Sequence, residues 1–144
     1  MNDPQVAELI KAAGDAQRAG RPQDADRALS RALEMQPDNP VALNSLGMRA
    51  LERGETTNAL AYFQRATAAD PGAAALWMNL AKAQRLLGDA QGEGRSLENA
   101  LKTDQRHLMA LIRLAELHER LGEQGRAMAR WAGVLALSAQ IDPV

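Results

Sequence analysis

The residues of this 144-residue chain best suited to chemistry are two histidines, one glutamate set between glycines, and a run of acids and arginines toward the C-terminal end. His107 and His118 are its only histidines. They lack the i, i+4 spacing and the neighbouring carboxylate of a helical zinc site, and neither stands in a His-x-Asp iron motif. Glu93, between Gly92 and Gly94, has neither a base nor a metal-binding partner in the sequence, so a structural role outweighs a catalytic one. Glu116, Glu119 and Glu123 alternate with Arg113, Arg120 and Arg126 at helical spacing, the pattern of ion pairs on a solvated face. There is no cysteine, which excludes disulfides and thiolate chemistry. With no nucleophile–base pair and no glycine-rich phosphate loop, the sequence predicts no catalysis, no cofactor and no metal.

Composition narrows the partners. Hydrophobic residues make up 46%, charged residues 24%, and the net charge is −1, which gives no attraction to nucleic acid or to an anionic membrane. Aromatics are only 3%, too few for base-stacking platforms. No apolar run approaches the ~20 residues that span a bilayer. The opening Met-Asn-Asp-Pro-Gln lacks the basic and apolar regions of a signal peptide. A cytoplasmic location is therefore expected.

What positions these side chains is a repeat. Gly20, Gly54, Gly88 and Gly122 share one register, and the same step carries Leu9 to Leu43, Trp77 and Leu111. It also carries Leu29 to Phe63, Leu97 and Trp131, and Ala32 to Ala66, Ala100 and Val134. Asp38 to Pro71 is the clearest unit. Asp38 and Asn39 are helix N-cap candidates, Pro40 fits the first turn, and Val41, Leu43, Leu46, Met48 and Ala50 form an apolar face. Gly54 ends that helix, and Ala59, Leu60, Phe63 and Ala66 face inward from a second, giving a helix hairpin. In the first unit a helix over residues 3–19 buries Val6, Leu9, Ile10 and Ala13. The third unit departs from the others because Glu93 stands where they have Ala25, Ala59 and Ala127. With two glycines beside it, its helix is expected to start late or shift so that the carboxylate reaches water, paired with Arg95 or Arg85.

The unit resembles the tetratricopeptide repeat, a 34-residue helix–turn–helix with the pattern W-x2-L-G-x2-Y, A-x3-F, P. The second copy matches through Leu43, Leu46, Gly47, Ala59, Phe63 and Pro71, and the third supplies the tryptophan through Trp77, Leu80 and Ala81. The resemblance implies an all-α, right-handed superhelical solenoid of four repeats in one domain over residues 1–144. The repeats fall at about 4–37, 38–71, 72–105 and 106–139, with a tail at 140–144. Trp77, Phe63 and Trp131 are expected in its inter-helix core.

The resemblance also implies a protein–protein interaction scaffold whose first helices line a concave groove for a protein or peptide segment. Mapped onto this chain, the groove candidates are Asn44, Met48, Met78, Asn79, Lys82, Arg85, Met109 and Arg113. The asparagines suit a peptide main chain, the cations an acidic group, and the methionines an adaptable floor. The carboxylate clamp of chaperone-binding members is not complete. Asn79 and Arg113 match it, but Asn44 and Met109 stand where lysines are needed and Met48 where asparagine is needed. The stretch Ala75 to Glu123, with Glu93 and the Arg106–Leu108 segment, is also similar to the repeat region preceding the catalytic domain of bacterial aspartyl/asparaginyl β-hydroxylase-like, 2-oxoglutarate- and iron-dependent oxygenases. That resemblance implies a non-catalytic N-terminal arm of a larger enzyme. Finally, Trp131, Val134 and Leu135 on the last helix, followed by Ile141, have no further repeat to cover them. They are candidates for self-association, including a homodimer through this helix.

Overall fold

The computed structural model describes residues 3–141. All regular structure among them is helical: α1 Pro4–Arg18, α2 Pro22–Met35, α3 Pro40–Glu52, α4 Thr56–Ala69, α5 Ala74–Leu86, α6 Ala90–Thr103, α7 Leu108–Arg120 and α8 Gln124–Ile141. They form four helix hairpins. The chain divides after Pro71 into two compact units, the first holding α1–α4 and the second α5–α8.

The hairpins are made locally. Gly20, Gly54, Gly88 and Gly122 all have φ between 74° and 78°, a backbone state that costs other residues roughly 1–2 kcal/mol. Each closes the same paired hydrogen bonds. In the first copy Gly20 N donates to Gln17 O at 3.1 Å, and Arg21 N to Ala16 O at 2.8 Å. The other three repeat that geometry, which satisfies the last carbonyls of each first helix and turns the chain into the second. Several helix starts are capped by side chains, while α2, α4 and α5 have no such cap. Asp3 accepts from Gln5 N, Asn39 from Ala42 N and Asp89 from Gly92 N. The Asn39 cap with Pro40 following is the arrangement expected from sequence.

In the first unit α2 packs between α1 and α3, and α3 pairs with α4. Val6, Ala13, Ala16, Ala25, Leu29, Ala32, Ala42 and Leu46 form one core cluster, with Leu9 and Ile10 half-buried against it. Phe63 is fully buried, and Gly47 is the reason it fits. A Cβ at Gly47 would lie 2.7 Å from Phe63 Cδ1 and 2.9 Å from Cζ. The other copies carry alanine there (Ala13, Ala81, Ala115) opposite Leu29, Leu97 and Trp131. Val41 corrects one expectation. It is 54% exposed, because its register, shared with Ala7, Ala75 and Met109, points outward from the first turn.

In the second unit Ala81, Leu97, Ala100, Leu101, Ala110, Leu111, Leu114 and Leu117 form the core, with Trp77, Val134 and Leu137 packed against it. Trp77 and Trp131 are half-buried where Phe63 is fully buried. The expectation for Glu93 is also corrected. Helix α6 begins on time at Ala90 and contains both glycines, and Glu93 is 3% exposed instead of reaching water. Its partner is neither Arg95 nor Arg85 but Arg120 on α7, whose guanidinium donates to both carboxylate oxygens at 2.9 and 3.1 Å. The glycines make room. A Cβ at Gly92 would collide with the capping Asp89 carboxylate, and one at Gly94 would touch Leu117 at 3.4 Å. Alongside, Ser96 Oγ lies 2.6 Å from the Gln84 side-chain amide, so the polar groups inside this repeat are paired. Helix α8 continues to Ile141, beyond the repeat end expected at 139.

Candidate protein-interaction site

Six of the eight groove candidates meet in one cleft of about 550 Å³ in the second unit. Helix α5 supplies Met78, Asn79, Lys82 and Arg85, which share one helical face at i, i+1, i+4 and i+7. Helix α7 supplies Met109 and Arg113, four residues apart. The remaining two candidates, Asn44 and Met48, lie half-buried on α3 in the first unit.

The cleft floor was not foreseen. Leu97 of α6 forms it, with the Arg120-bound Glu93 beside it, and Leu86, 61% exposed, stands at its rim. His107 also lines it, but its Nδ1 accepts the Ala110 backbone N–H at 3.2 Å and so serves as the α7 cap. That role was legible in the register, since His107 occupies the place of Asn39 two repeats earlier. His118 is half-buried, with Nδ1 3.1 Å from a Glu123 carboxylate oxygen.

The electrostatics of the cleft are one-sided. Glu93 is its only acid and is already bound to Arg120. Among the described residues Lys82, Arg85 and Arg113 form no ion pair, although most other arginines of the chain do. A chain of net charge −1 thus gathers three uncompensated cations around an apolar floor. At the α3–α4 turn the hydrogen bond from Arg53, then one from Asn58, holds the Glu55 carboxyl below its usual range, and the same pairing raises Arg53.

The self-association candidates divide. Val134 packs against the core, and Trp131 is half-buried with Nε1 donating to Glu119 at 2.8 Å. Leu135 is 70% exposed, and so is Met128, which sequence reasoning passed over. The Ile141 side chain lies outside the described residues. Among the described residues no group of three or more His, Cys, Asp or Glu could hold a metal ion, and no helix is long and apolar enough to cross a membrane.

Comparison with known proteins agrees with this architecture. The tetratricopeptide repeat family model matches residues 10–74 and 44–94, which together cover more than half of the chain. The chain is 26% identical over 140 residues to cellulose synthase 1 operon protein C of Komagataeibacter xylinus. That match takes in 96% of this chain but only 10% of that protein's length. Among solved structures, a tetratricopeptide repeat protein from Parabacteroides merdae superposes with a TM-score of 0.85 at 21% identity, covering 94% of this chain and 54% of that one. The MamA protein of Desulfovibrio magneticus RS-1 gives 0.83 at 18% identity, covering 95% and 77%. At those identities the likeness is one of fold. The hydroxylase-like resemblance gains no support from these relatives. By its family model, the eight helices of its described residues and its glycine register, the chain belongs to the tetratricopeptide repeat family of protein-interaction scaffolds.

Proposed function

We propose that the chain is a non-catalytic binding module whose α5–α7 cleft takes an acidic segment of a partner protein. The observation that carries this reading is the set of three unpaired cations, Lys82, Arg85 and Arg113, around the Leu97 and methionine floor. Carboxylates of a peptide would form charge-assisted bonds to the arginines, and its apolar side chains would displace water from the floor. Asn79, which lines the same cleft, would read the peptide main chain. The module does this whether it stands alone or within a longer chain.

The test uses a panel of labelled acidic peptides and their glutamine/asparagine counterparts, titrated calorimetrically at low and high salt. Acidic members are expected to bind, and to weaken as salt rises because the contacts are exposed to screening. Replacing Asn79 and Arg113 by Ala should abolish that binding while the helical circular dichroism is unchanged. Binding that survives both changes, or amide peptides binding as well as acidic ones, would remove the reading. A second reading, self-association through α8, is favoured by the exposure of Met128 and Leu135.

A further inference from the structure

We infer that His107 is a binding residue of the α5–α7 cleft, its Nε2–H donating a hydrogen bond to a carboxylate of the bound acidic segment. This rests on the acidic-segment reading and adds a contact to it. The helix cap decides where the imidazole proton sits. Nδ1 accepts the Ala110 backbone N–H at 3.2 Å. A ring nitrogen that accepts carries no proton, so the capping ring is neutral and holds its proton on Nε2. His107 is half-buried and lines the cleft. Among the described residues no group pairs with Nε2, and no buried side-chain nitrogen lacks a partner, so this N–H is open to solvent. With Nδ1 turned to the backbone, Nε2–H is the donor that the ring offers to the cleft.

Capping alone does not call for a histidine. Asn39 and Ala73 hold the same register in the two preceding repeats. Asn39, a preferred cap type, accepts from Ala42 N at 3.0 Å and spends its amide within the turn, donating to Gln36 Oε1 at 2.9 Å. Ala73 makes no side-chain cap, yet α5 begins directly after it. In the fourth repeat Asp104 takes the register of Gln36, but its Oδ1 accepts the Arg106 backbone N–H at 3.1 Å. No described group of the repeat uses the second nitrogen of His107. What imidazole adds to a cap is a donor on the far edge of a rigid ring.

The cleft supplies a ligand for that donor. Among the described residues Lys82, Arg85 and Arg113 line it without ion pairs, and Glu93 beside them is held by Arg120. A segment drawn in by these cations arrives rich in acceptor oxygens. A neutral N–H adds nothing to the long-range attraction. It fixes where one carboxylate oxygen sits, so it acts on orientation and lifetime more than on capture.

The repeat register also supplies the test variants. His107→Asn keeps a cap of the kind seen at Asn39 and removes Nε2–H, and His107→Ala reproduces the uncapped start at Ala73. The probes are labelled peptides of interleaved glutamates and leucines, titrated at low and high salt. Both His107 variants should bind about tenfold more weakly, the loss of one hydrogen bond to a charged acceptor. That loss should be the same at both salt concentrations, whereas the loss in Arg113→Ala should shrink as salt rises. Melting curves should place His107→Asn at wild-type stability and His107→Ala below it, so that binding follows the ring and stability follows the cap. If His107→Asn binds as tightly as the wild type, His107 is only a cap, and the acidic-segment reading stands without it. A wild type that binds none of the probes overturns both. Nitrogen NMR of the free protein, in which His118 is the one other histidine, should show His107 protonated on Nε2 and bare on Nδ1. A proton on Nδ1 overturns the inference by itself.

Discussion

The two units use the same hairpins to build different interiors. The second helices of the first unit present Ala25 and Ala59 to their partners, and its unusual feature is an exchange of volume, Gly47 for the bulk of Phe63. In the second unit α8 keeps that alanine as Ala127, but α6 sets Glu93 there, beside Gln84 and Ser96 in an internal polar cluster. Both units join a second helix to the following first helix by an acid–arginine contact, but at different depths. Asp26 of α2 is 32% exposed and shared by Arg49 of α3 and Arg53 at its C-cap. Glu93, one register position earlier, is 3% exposed and depends on Arg120. The hairpin geometry comes from the glycine turns and the apolar register, so it tolerates either interior. What differs is the consequence of error: a shared, partly wet carboxylate has alternatives, whereas a buried one has a single partner.

That contrast can be broken most severely at Arg120. Arg120→Ala strands the Glu93 carboxylate and should cost about 2–3 kcal/mol, below the cost for a fully buried pair because Arg120 itself is 45% exposed. The double variant Glu93→Ala with Arg120→Ala restores the alanine of the other repeats and should recover most of the loss. Arg53→Ala in the first unit should cost less than about 1 kcal/mol, because Arg49 still holds Asp26. Urea unfolding of the four proteins decides it, and equal losses for Arg120→Ala and Arg53→Ala would erase the distinction drawn here.

The volume exchange is tested next. Gly47→Ala gains about 1 kcal/mol of helix propensity but presses on the Phe63 ring, at a cost of roughly 1–3 kcal/mol. A net destabilisation is expected, relieved by adding Phe63→Leu, the residue at Leu29 and Leu97. A thermal-melt double-mutant cycle showing simple additivity would refute the coupling.

The smallest effect belongs to Glu55. Its folded pKa is lowered, first by the Arg53 hydrogen bond, so its contribution is present above the ordinary glutamate value of about 4.3 and is lost as pH falls through the folded value. Glu55→Gln should flatten that acid limb slightly in a pH series of melting temperatures, and a steeper limb would contradict the sign.

The legibility of this chain follows the range of the physics involved. Glycines at positive φ, the Asn39 and Pro40 start, and the Leu/Ala core register are set by residues within a turn or two of one another. Periodicity therefore reveals them, and four copies reveal them four times. Glu93 was misjudged because its partner is 27 residues away, and neighbours such as Arg85 and Arg95 seemed nearer along the chain. Val41 was misjudged because apolar type does not fix which way a first-turn residue points.

By itself, then, the sequence determined the family, the hairpins and the side of each helix that is buried, because those are decided by backbone sterics and local burial repeated at a fixed step. Only the tertiary structure decided that Lys82, Arg85 and Arg113 line their cleft without ion pairs, that Arg120 is engaged by Glu93, and that Met128 and Leu135 of α8 are exposed. Pairing and exposure depend on which atoms arrive in the same few ångströms, and chain separation does not encode that.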